Sequence, residues 1–288
     1  MRYGVHALVL GLVLGAAGHG FAITVPGSSF DSSAGSPTWT LPNSSASLSN
    51  VSSPLTYSAD GWTVNGGDQA LKFSGNDYSA ASRSIAPPQS GDVWVRFLVQ
   101  WHPGTIGTNE FLTCWFDNTN SSQADHTLVP NIGVKTNEGG AGGTDDMVVR
   151  LTINGGDYAG DINANPGATH MIVGHLYKST PGTTTVYNRF EMWVDPTEDN
   201  PVGDRQASNY ALDKGNTNLS SFSYIGFRSA NLPSNGPVYM DDLLIAGTMG
   251  EVMQGGKGGD APMIPEPLTM LALLAGVTGL SRYVRSRD

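Results

Sequence analysis

The aromatic residues that stand beside charged side chains are the best candidates for binding chemistry in this sequence. The aromatic residues are Trp94, Tyr187 and Trp193, and the charged side chains beside them are Arg96 and Arg189. Aromatic rings that stack on a sugar, next to groups that donate or accept hydrogen bonds, make a carbohydrate site. The alternative is that each ring covers a sheet or fills a gap in the core. These five residues are therefore candidates for weak glycan binding.

Acidic residues in one stretch of the chain are candidates for metal binding. Asp195, Glu198, Asp199 and Asp204 fall in one loop and supply the oxygen ligands that calcium prefers. Exposed acidic loops are commonly just solvated, and the sequence has no EF-hand order. Calcium is the single cofactor that these residues leave open, and no other cofactor is expected.

Catalytic motifs are weakly represented. Glu191 and Asp195 would share one face of a strand, as a pair of hydrolytic carboxylates must. No acid lies between them, however, and Asp195 precedes Pro196, which favours a turn. The histidines are scattered, and neither a His-Glu-x-x-His nor a Gly-x-Ser-x-Gly motif occurs. We therefore expect no enzyme.

Two adjacent acids, Asp241 and Asp242, lie in an apolar stretch near the end of the β-rich region. One of two neighbouring strand residues must face inward, and a buried carboxylate needs hydrogen-bond donors. The pair is therefore expected to hold neighbouring loops in place rather than to bind a ligand.

Charge and cysteine content exclude other classes. Outside the two terminal segments the chain has 11 basic residues (15 less four) and 23 acidic residues (25 less two), a net charge of −12. Such a surface repels phosphate backbones, so no nucleic acid partner is expected. Cys114 is the only cysteine, so the fold has no intrachain disulfide. Its apolar neighbours predict a buried side chain rather than a reactive thiol.

The elements that would position these residues are strands. Gly, Pro, Ser, Thr and Asn are abundant, and apolar residues alternate with polar ones, as at Val93, Val95 and Phe97. About eleven such stretches predict an all-β body of two packed antiparallel sheets, a jelly-roll sandwich. The predicted strands are 62–64, 70–73, 82–85, 93–101, 111–116, 131–134, 147–153, 171–177, 186–194, 222–227 and 238–245.

The two ends of the chain have the composition of targeting segments. Residues 1–22 place Arg2 before an apolar run and small residues, which predicts a secretory signal peptide. Residues 23–248 form the predicted body, and the Gly-rich residues 249–263 form a flexible linker. Residues 264–288 contain a short apolar segment followed by arginines, which predicts a transmembrane helix with a cytoplasmic C-terminus.

This C-terminal segment resembles the PEP-CTERM sorting signal of Gram-negative bacteria. The resemblance rests on Pro265, Glu266 and Pro267, the apolar segment, and the cluster Arg282, Arg285 and Arg287. In that family an exosortase, an integral-membrane cysteine transpeptidase, is thought to cut near Pro-Glu-Pro. The resemblance implies export through the Sec translocon, transient anchoring in the inner membrane, and a final place in the cell envelope or outside the cell.

The body resembles those of many PEP-CTERM proteins, which are similar to concanavalin A-like lectin and glucanase jelly rolls. The segments that carry this resemblance are 30–31, 81–85, 91–98, 171–176, 191–197 and 239–245. It implies two stacked sheets with one concave face. The Glu-x-Asp-x-Glu motif of the glucanases does not occur here, and the nearest match is Glu191 with Asp195.

Three functions remain open at this point. The leading hypothesis is a non-catalytic, exported protein of the cell surface or extracellular matrix that binds polysaccharide weakly. The second is a secreted glycan hydrolase or lyase with a non-standard carboxylate pair. The third is a purely structural surface protein.

Overall fold

The computed structural model of the chain describes residues 49–59, 62–74, 81–101, 110–119, 129–136, 145–152, 156–161, 165, 167–180, 182–196, 209–232 and 237–254. The strands in these ranges are β1 (Ser49–Val51), β2 (Thr56–Ala59), β3 (Trp62–Asn65), β4 (Ala70–Phe73), β5 (Ala81–Gln89), β6 (Val93–Trp101), β7 (Phe111–Asp117), β8 (Asn131–Lys135), β9 (Met147–Arg150), β10 (Asp157–Ala159), β11 (Thr169–Tyr177), β12 (Arg189–Val194), β13 (Tyr210–Lys214), β14 (Phe222–Ala230) and β15 (Val238–Ala246). The short helix α1 (Met249–Gln254) follows.

The strands form two large sheets and a hairpin. Sheet A has the order β1-β4-β15-β6-β11-β12-β13, and sheet B has the order β10-β9-β8-β7-β14-β5. The hairpin pairs β2 with β3. The pairings that build both sheets are antiparallel. The predicted all-β class with antiparallel sheets is confirmed.

The main core lies between the inner faces of the two sheets. Val93, Val95 and Phe97 of β6 point into it from sheet A, and Leu112 and Phe116 of β7 point into it from sheet B. Alternate residues of each strand supply this core, because successive side chains point to opposite faces of a sheet. The alternation read from the sequence therefore predicted the correct inner face of β6.

Sheet A is also covered on its outer face. Hairpin β2–β3 and helix α1 lie over it, and we call these two elements the cap. A second hydrophobic core fills the space beneath the cap. Its buried members are Leu55, Tyr57, Val64, Ala70, Trp94, Leu98, Met171, Val173, Trp193, Leu244, Ala246, Val252 and Met253.

Asp241 attaches the hairpin to the sheet. Its side chain is completely buried, and Oδ2 accepts a hydrogen bond from the backbone N–H of Leu55 at 2.8 Å. Gly66, just after β3, lies so close that a Cβ atom there would be 1.9 Å from the same oxygen. The chain must therefore have a glycine at this position, and the expectation that an aspartate holds a neighbouring loop agrees with these contacts.

Arg96 attaches helix α1. Its guanidinium donates to the carbonyl oxygen of Val252 and forms an ion pair with Asp242 at 2.6 Å. The register of β15 shifts between Asp241 and Leu244, and Asp242 has a positive φ of 48°. This bulge lets two consecutive aspartates both reach the outer side of the sheet. Because α1 packs here, the folded body continues through Gln254, beyond the predicted boundary at residue 248.

Of the predicted strands, 70–73 and 93–101 have the same bounds in the structure, and the others differ by one to five residues in total. Strand 82–85 extends to Gln89 in β5, and strand 222–227 extends to Ala230 in β14. The strand predicted at 147–153 ends at Arg150, and the strand predicted at 186–194 begins at Arg189. Strands β1, β2, β10 and β13 were not predicted. They contain three to five residues each, and the buried apolar residue of β10 and of β13 is an alanine, Ala159 or Ala211, rather than the large side chains that marked the predicted strands.

Candidate functional site

A column of four rings crosses the outer face of sheet A. Trp94 of β6 and His175 of β11 are direct neighbours across the strands and stack with centroids 4.0 Å apart. Tyr177 stacks on the His175 ring at 4.3 Å, and Trp193 of β12 lies near-parallel to Trp94 at 5.8 Å. Trp193 is buried under the cap, whereas Tyr177 is partly exposed. The column therefore runs from the second core to the uncovered end of the sheet.

Two carboxylates flank His175 within the column. Nε2 of His175 lies 3.5 Å from Oδ2 of Asp92, and Nδ1 lies 3.6 Å from Oε2 of Glu191. Asp92 has 53% of its side chain exposed, whereas Glu191 is 3% exposed. The other oxygen of Glu191 accepts a hydrogen bond from the Tyr210 hydroxyl at 2.8 Å. An imidazole, two carboxylates and two phenols thus meet at this end of the sheet.

The surroundings of His175 favour its protonated form. Burial alone lowers its pKa, but the interactions with Asp92 and Glu191 outweigh burial, so the pKa is raised above its ordinary value. When protonated, the ring lies between two aromatic faces and beside two carboxyl groups, an arrangement that stabilises a cation.

The structure separates the five residues that the sequence suggested for glycan binding. Trp94, Arg96 and Trp193 lie beneath the cap and are 7%, 1% and 1% exposed, so they form no open sugar platform. Tyr187 precedes β12 and lies in the main core, where its hydroxyl donates to the backbone of Gly91. Arg189 alone is partly exposed on the outer face.

Asp195 has internal partners. Its Oδ2 lies 2.6 Å from Nδ1 of His170, and its Oδ1 accepts the N–H of Met171 at 2.8 Å. The chain leaves β12 at Asp195, whose φ is 49°. Asp195 therefore does not form a carboxylate pair with Glu191, whose carboxylate accepts the Tyr210 hydroxyl. Among the described residues, no three His, Cys, Asp or Glu side chains are grouped to hold a metal ion.

The other predicted ligands and the sorting residues lie outside the described ranges. These are Glu198, Asp199, Asp204, Pro265, Glu266, Pro267, Arg282, Arg285 and Arg287. Calcium binding, the signal peptide and the sorting signal therefore stay predictions. Within the ranges that the structure describes, no helix is both long and apolar enough to cross a bilayer.

Sequence reasoning missed His175, Tyr177, Asp92 and Tyr210 as parts of one site. The available signal was alternation: Met171, Val173, His175 and Tyr177 share one face of the predicted strand. That face changes from apolar to aromatic and polar at His175, which marks where the cap stops covering it. Asp92 and Tyr210 come from other elements, and only the strand order brings them to this point.

Comparisons with known proteins give only loose similarities. No protein-family model matches the chain, and no curated protein matches it in sequence. Among solved structures it is similar to the cellulose induced protein Cip1 (TM-score 0.39, 16% identity, 73% of this chain and 92% of that one). It is also similar to the VIP36 exoplasmic/lumenal domain in a Ca2+/Man-bound form (TM-score 0.40, 12% identity, 69% of this chain and 82% of that one). A third similar structure is alginate lyase vAL-1 from Chlorella virus (TM-score 0.36, 11% identity, 68% of this chain and 90% of that one). At such low identities and TM-scores, the fold rests on the chain's own strand registers and core.

Proposed function

We propose that this chain is an exported, non-catalytic protein whose β-sandwich binds extracellular polysaccharide at the uncovered end of the outer face of sheet A. The observation that carries the proposal is the ring column, which ends in the partly exposed Tyr177 beside His175 and Asp92. A flat ring next to groups that donate and accept hydrogen bonds is the chemistry that recognises a sugar. The two antiparallel sheets support the jelly-roll, concanavalin A-like assignment of this body.

Stacking also holds the Tyr177 ring in place before any ligand binds. Tyr177 rests on His175, which rests on Trp94, and Trp94 is held in the second core. A ring that is already ordered loses little conformational entropy when a ligand binds. Even a shallow surface of this kind therefore supports weak binding.

The test is calorimetric titration of the full-length chain, in mild detergent, with a panel of polysaccharides. Tyr177→Ala should weaken binding about tenfold, since about 1.4 kcal/mol is a typical contribution of an aromatic contact. The matched control is Tyr158→Ala, which removes a partly exposed tyrosine from β10 of sheet B. Equal losses in the two variants, or no binding by the unaltered chain at any concentration, would refute the proposal. The second result would favour a purely structural surface protein.

Sorting by exosortase is part of the same proposal. The support is in the sequence: an export signal over 1–22 and the ordered motif of 264–288. Mass spectrometry of the mature C-terminus, in cells with and without the exosortase, should find a tail cut near Glu266 only where the enzyme is present. A C-terminus at Asp288 in both strains would contradict sorting.

One observation favours the enzyme alternative as a second candidate. Asp92 and Glu191 flank His175, and the buried Glu191 also accepts the Tyr210 hydroxyl, an arrangement of acids and bases that could move protons. A glycan hydrolase releases reducing ends, and a lyase releases unsaturated products. Turnover of either kind that Glu191→Gln abolishes, with the fold intact by circular dichroism, would replace the binding proposal with this one.

A further inference from the structure

Three residues form a row across the uncovered end of sheet A. Tyr177 of β11 is the direct neighbour of Arg189 of β12, and Arg189 is the direct neighbour of Lys214 of β13. Neighbouring strands lie about 4.8 Å apart, so the row spans about 10 Å. We call Tyr177, Arg189 and Lys214 the basic row.

The members of the basic row point to the same side. On β12 the buried Phe190 faces the main core, and on β13 Ala211 does the same. Residues one or three positions away therefore point outward, which places Arg189 and Lys214 on the outer face with Tyr177. Lys214 is exposed, and Arg189 is partly exposed.

The two cations of the row form no ion pair with a described carboxylate. Arg189 donates one hydrogen bond, to the carbonyl oxygen of Asn188 at 2.6 Å, and Lys178 next to Tyr177 donates to the carbonyl oxygens of Ser90 and Ser220. By contrast, Arg96, which is buried, is paired with Asp242. The charges of Arg189 and Lys214 are therefore available to a ligand, in a body whose net charge is −12.

Acidic groups near the row are already engaged. Glu191 accepts the Tyr210 hydroxyl and faces His175, and Asp92, which comes just before β6, lies 3.5 Å from Nε2 of the same imidazole. Asp157, at the edge beyond β13, accepts the backbone N–H of Leu212 at 2.8 Å. The row itself carries the positive charges of Arg189 and Lys214, and the half-exposed carboxylate of Asp92 beside it faces the His175 imidazole.

We infer that the basic row selects an anionic polysaccharide, one whose sugar rings carry carboxylate groups. This inference rests on the proposed function, because it names the ligand class of the same surface. The Tyr177 ring supplies the stacking face, and the Arg189 guanidinium pairs with a carboxylate in a forked geometry that lysine cannot match. Lys214, one strand further, meets the next anionic group along the polymer. The acidic remainder of the body holds the polymer off elsewhere, so binding is confined to the row.

The experiment compares three polymers on the full-length chain in mild detergent: a polyuronate, a neutral glucan and polyglutamate, which has carboxylates but no sugar rings. We expect the polyuronate to bind at least tenfold more tightly than the other two, with affinity that falls as salt is raised. Arg189→Gln with Lys214→Gln should remove that preference. The matched control is Lys72→Gln, which removes a cation from β4 at the opposite side of the same sheet.

Each other outcome has a definite reading. If the neutral glucan binds as tightly as the polyuronate and the double variant changes nothing, the ligand class is overturned while polysaccharide binding stands. If polyglutamate binds as tightly as the polyuronate, the row binds anionic polymers without recognising sugar rings, and the inference is wrong. If neither polysaccharide binds, the proposed function falls with it. Circular dichroism and the melting temperature of each variant establish that the fold is intact.

Discussion

Replacing Asp241 with alanine tests whether the cap is held by buried polar contacts. The Asp241 carboxylate is completely buried and accepts two backbone hydrogen bonds, from Leu55 at 2.8 Å and from Asp242 at 2.7 Å. Alanine leaves both N–H groups without this acceptor. Leaving a buried donor unsatisfied costs about 1–3 kcal/mol.

The expected loss follows from these two donors. Together they cost about 2–6 kcal/mol, and removing a buried carboxylate recovers part of its own desolvation cost, so we expect about 2–4 kcal/mol. This is a large fraction of the about 5–15 kcal/mol by which a typical domain is stable. Urea unfolding of the full-length chain, followed by tryptophan fluorescence, measures the loss. Trp94 and Trp193 lie in the core that the cap covers, so the emission of the variant also reports cap opening.

Asp157→Ala is the matched control. Asp157 also accepts one long-range backbone N–H at 2.8 Å, but it is exposed, so water can replace the lost acceptor. The control should lose less than about 1 kcal/mol. If Asp241→Ala costs no more than Asp157→Ala, the hydrogen bonds of Asp241 do not hold the hairpin and the reasoning fails.

Three further predictions concern the buried ionisable groups. Arg96→Met should lower the free energy of unfolding by about 3–5 kcal/mol, because it leaves Asp242 as an uncompensated buried charge; a urea midpoint equal to that of the unaltered chain would contradict this. His175 has a raised pKa in the folded state, so its stabilising contribution is complete below the unfolded value of about 6.5 and is lost as pH rises through the folded value. The difference in melting temperature between the unaltered chain and His175→Gln should therefore shrink as the pH is raised from about 6.5 through the higher folded value; a constant difference would count against the shift. Burial raises the pKa of the Cys114 thiol, so a thiol reagent should label it only after denaturation, and rapid labelling of the folded chain would show that the site is open.

Strand positions were predictable where alternation extended over several residues. The predicted stretches at 70–73 and 93–101 match β4 and β6 in the structure. The strands β1, β2, β10 and β13 were not predicted. In β10 and β13 the buried apolar residue is an alanine, which gives a weaker alternation signal than the large apolar residues of β4 and β6. The bounds of β12 were misjudged because Tyr187 continues the polar alternation, yet the chain enters the sheet only at Arg189.

The cap was the feature least accessible from the sequence. The sequence of β6 contains a usable signal: Trp94, Leu98 and other large residues also occupy its second face, and a strand buried on both faces reads as a nearly continuous apolar run. The identity of the covering element has no such signal. The hairpin begins at Thr56, well before β6 begins at Val93. Helix α1 falls in a stretch whose glycines predicted a flexible linker. Long-range contacts such as Asp241 with Leu55 decide the packing of both elements.

The ring column shows what alternation could and could not predict about the aromatic residues of sheet A. Trp94 and Trp193 do lie on the same face as Arg189, as the alternation indicated, but the cap covers them. Trp193 stacks on Trp94, Trp94 stacks on His175, and His175 stacks on Tyr177, so the two tryptophans support the less buried rings of the column. The alternation of a strand looks the same whether a large ring lies at the covered end or at the uncovered end of the sheet. Only the position of the cap's edge, set by Asp241 and Arg96, determines which ring meets solvent.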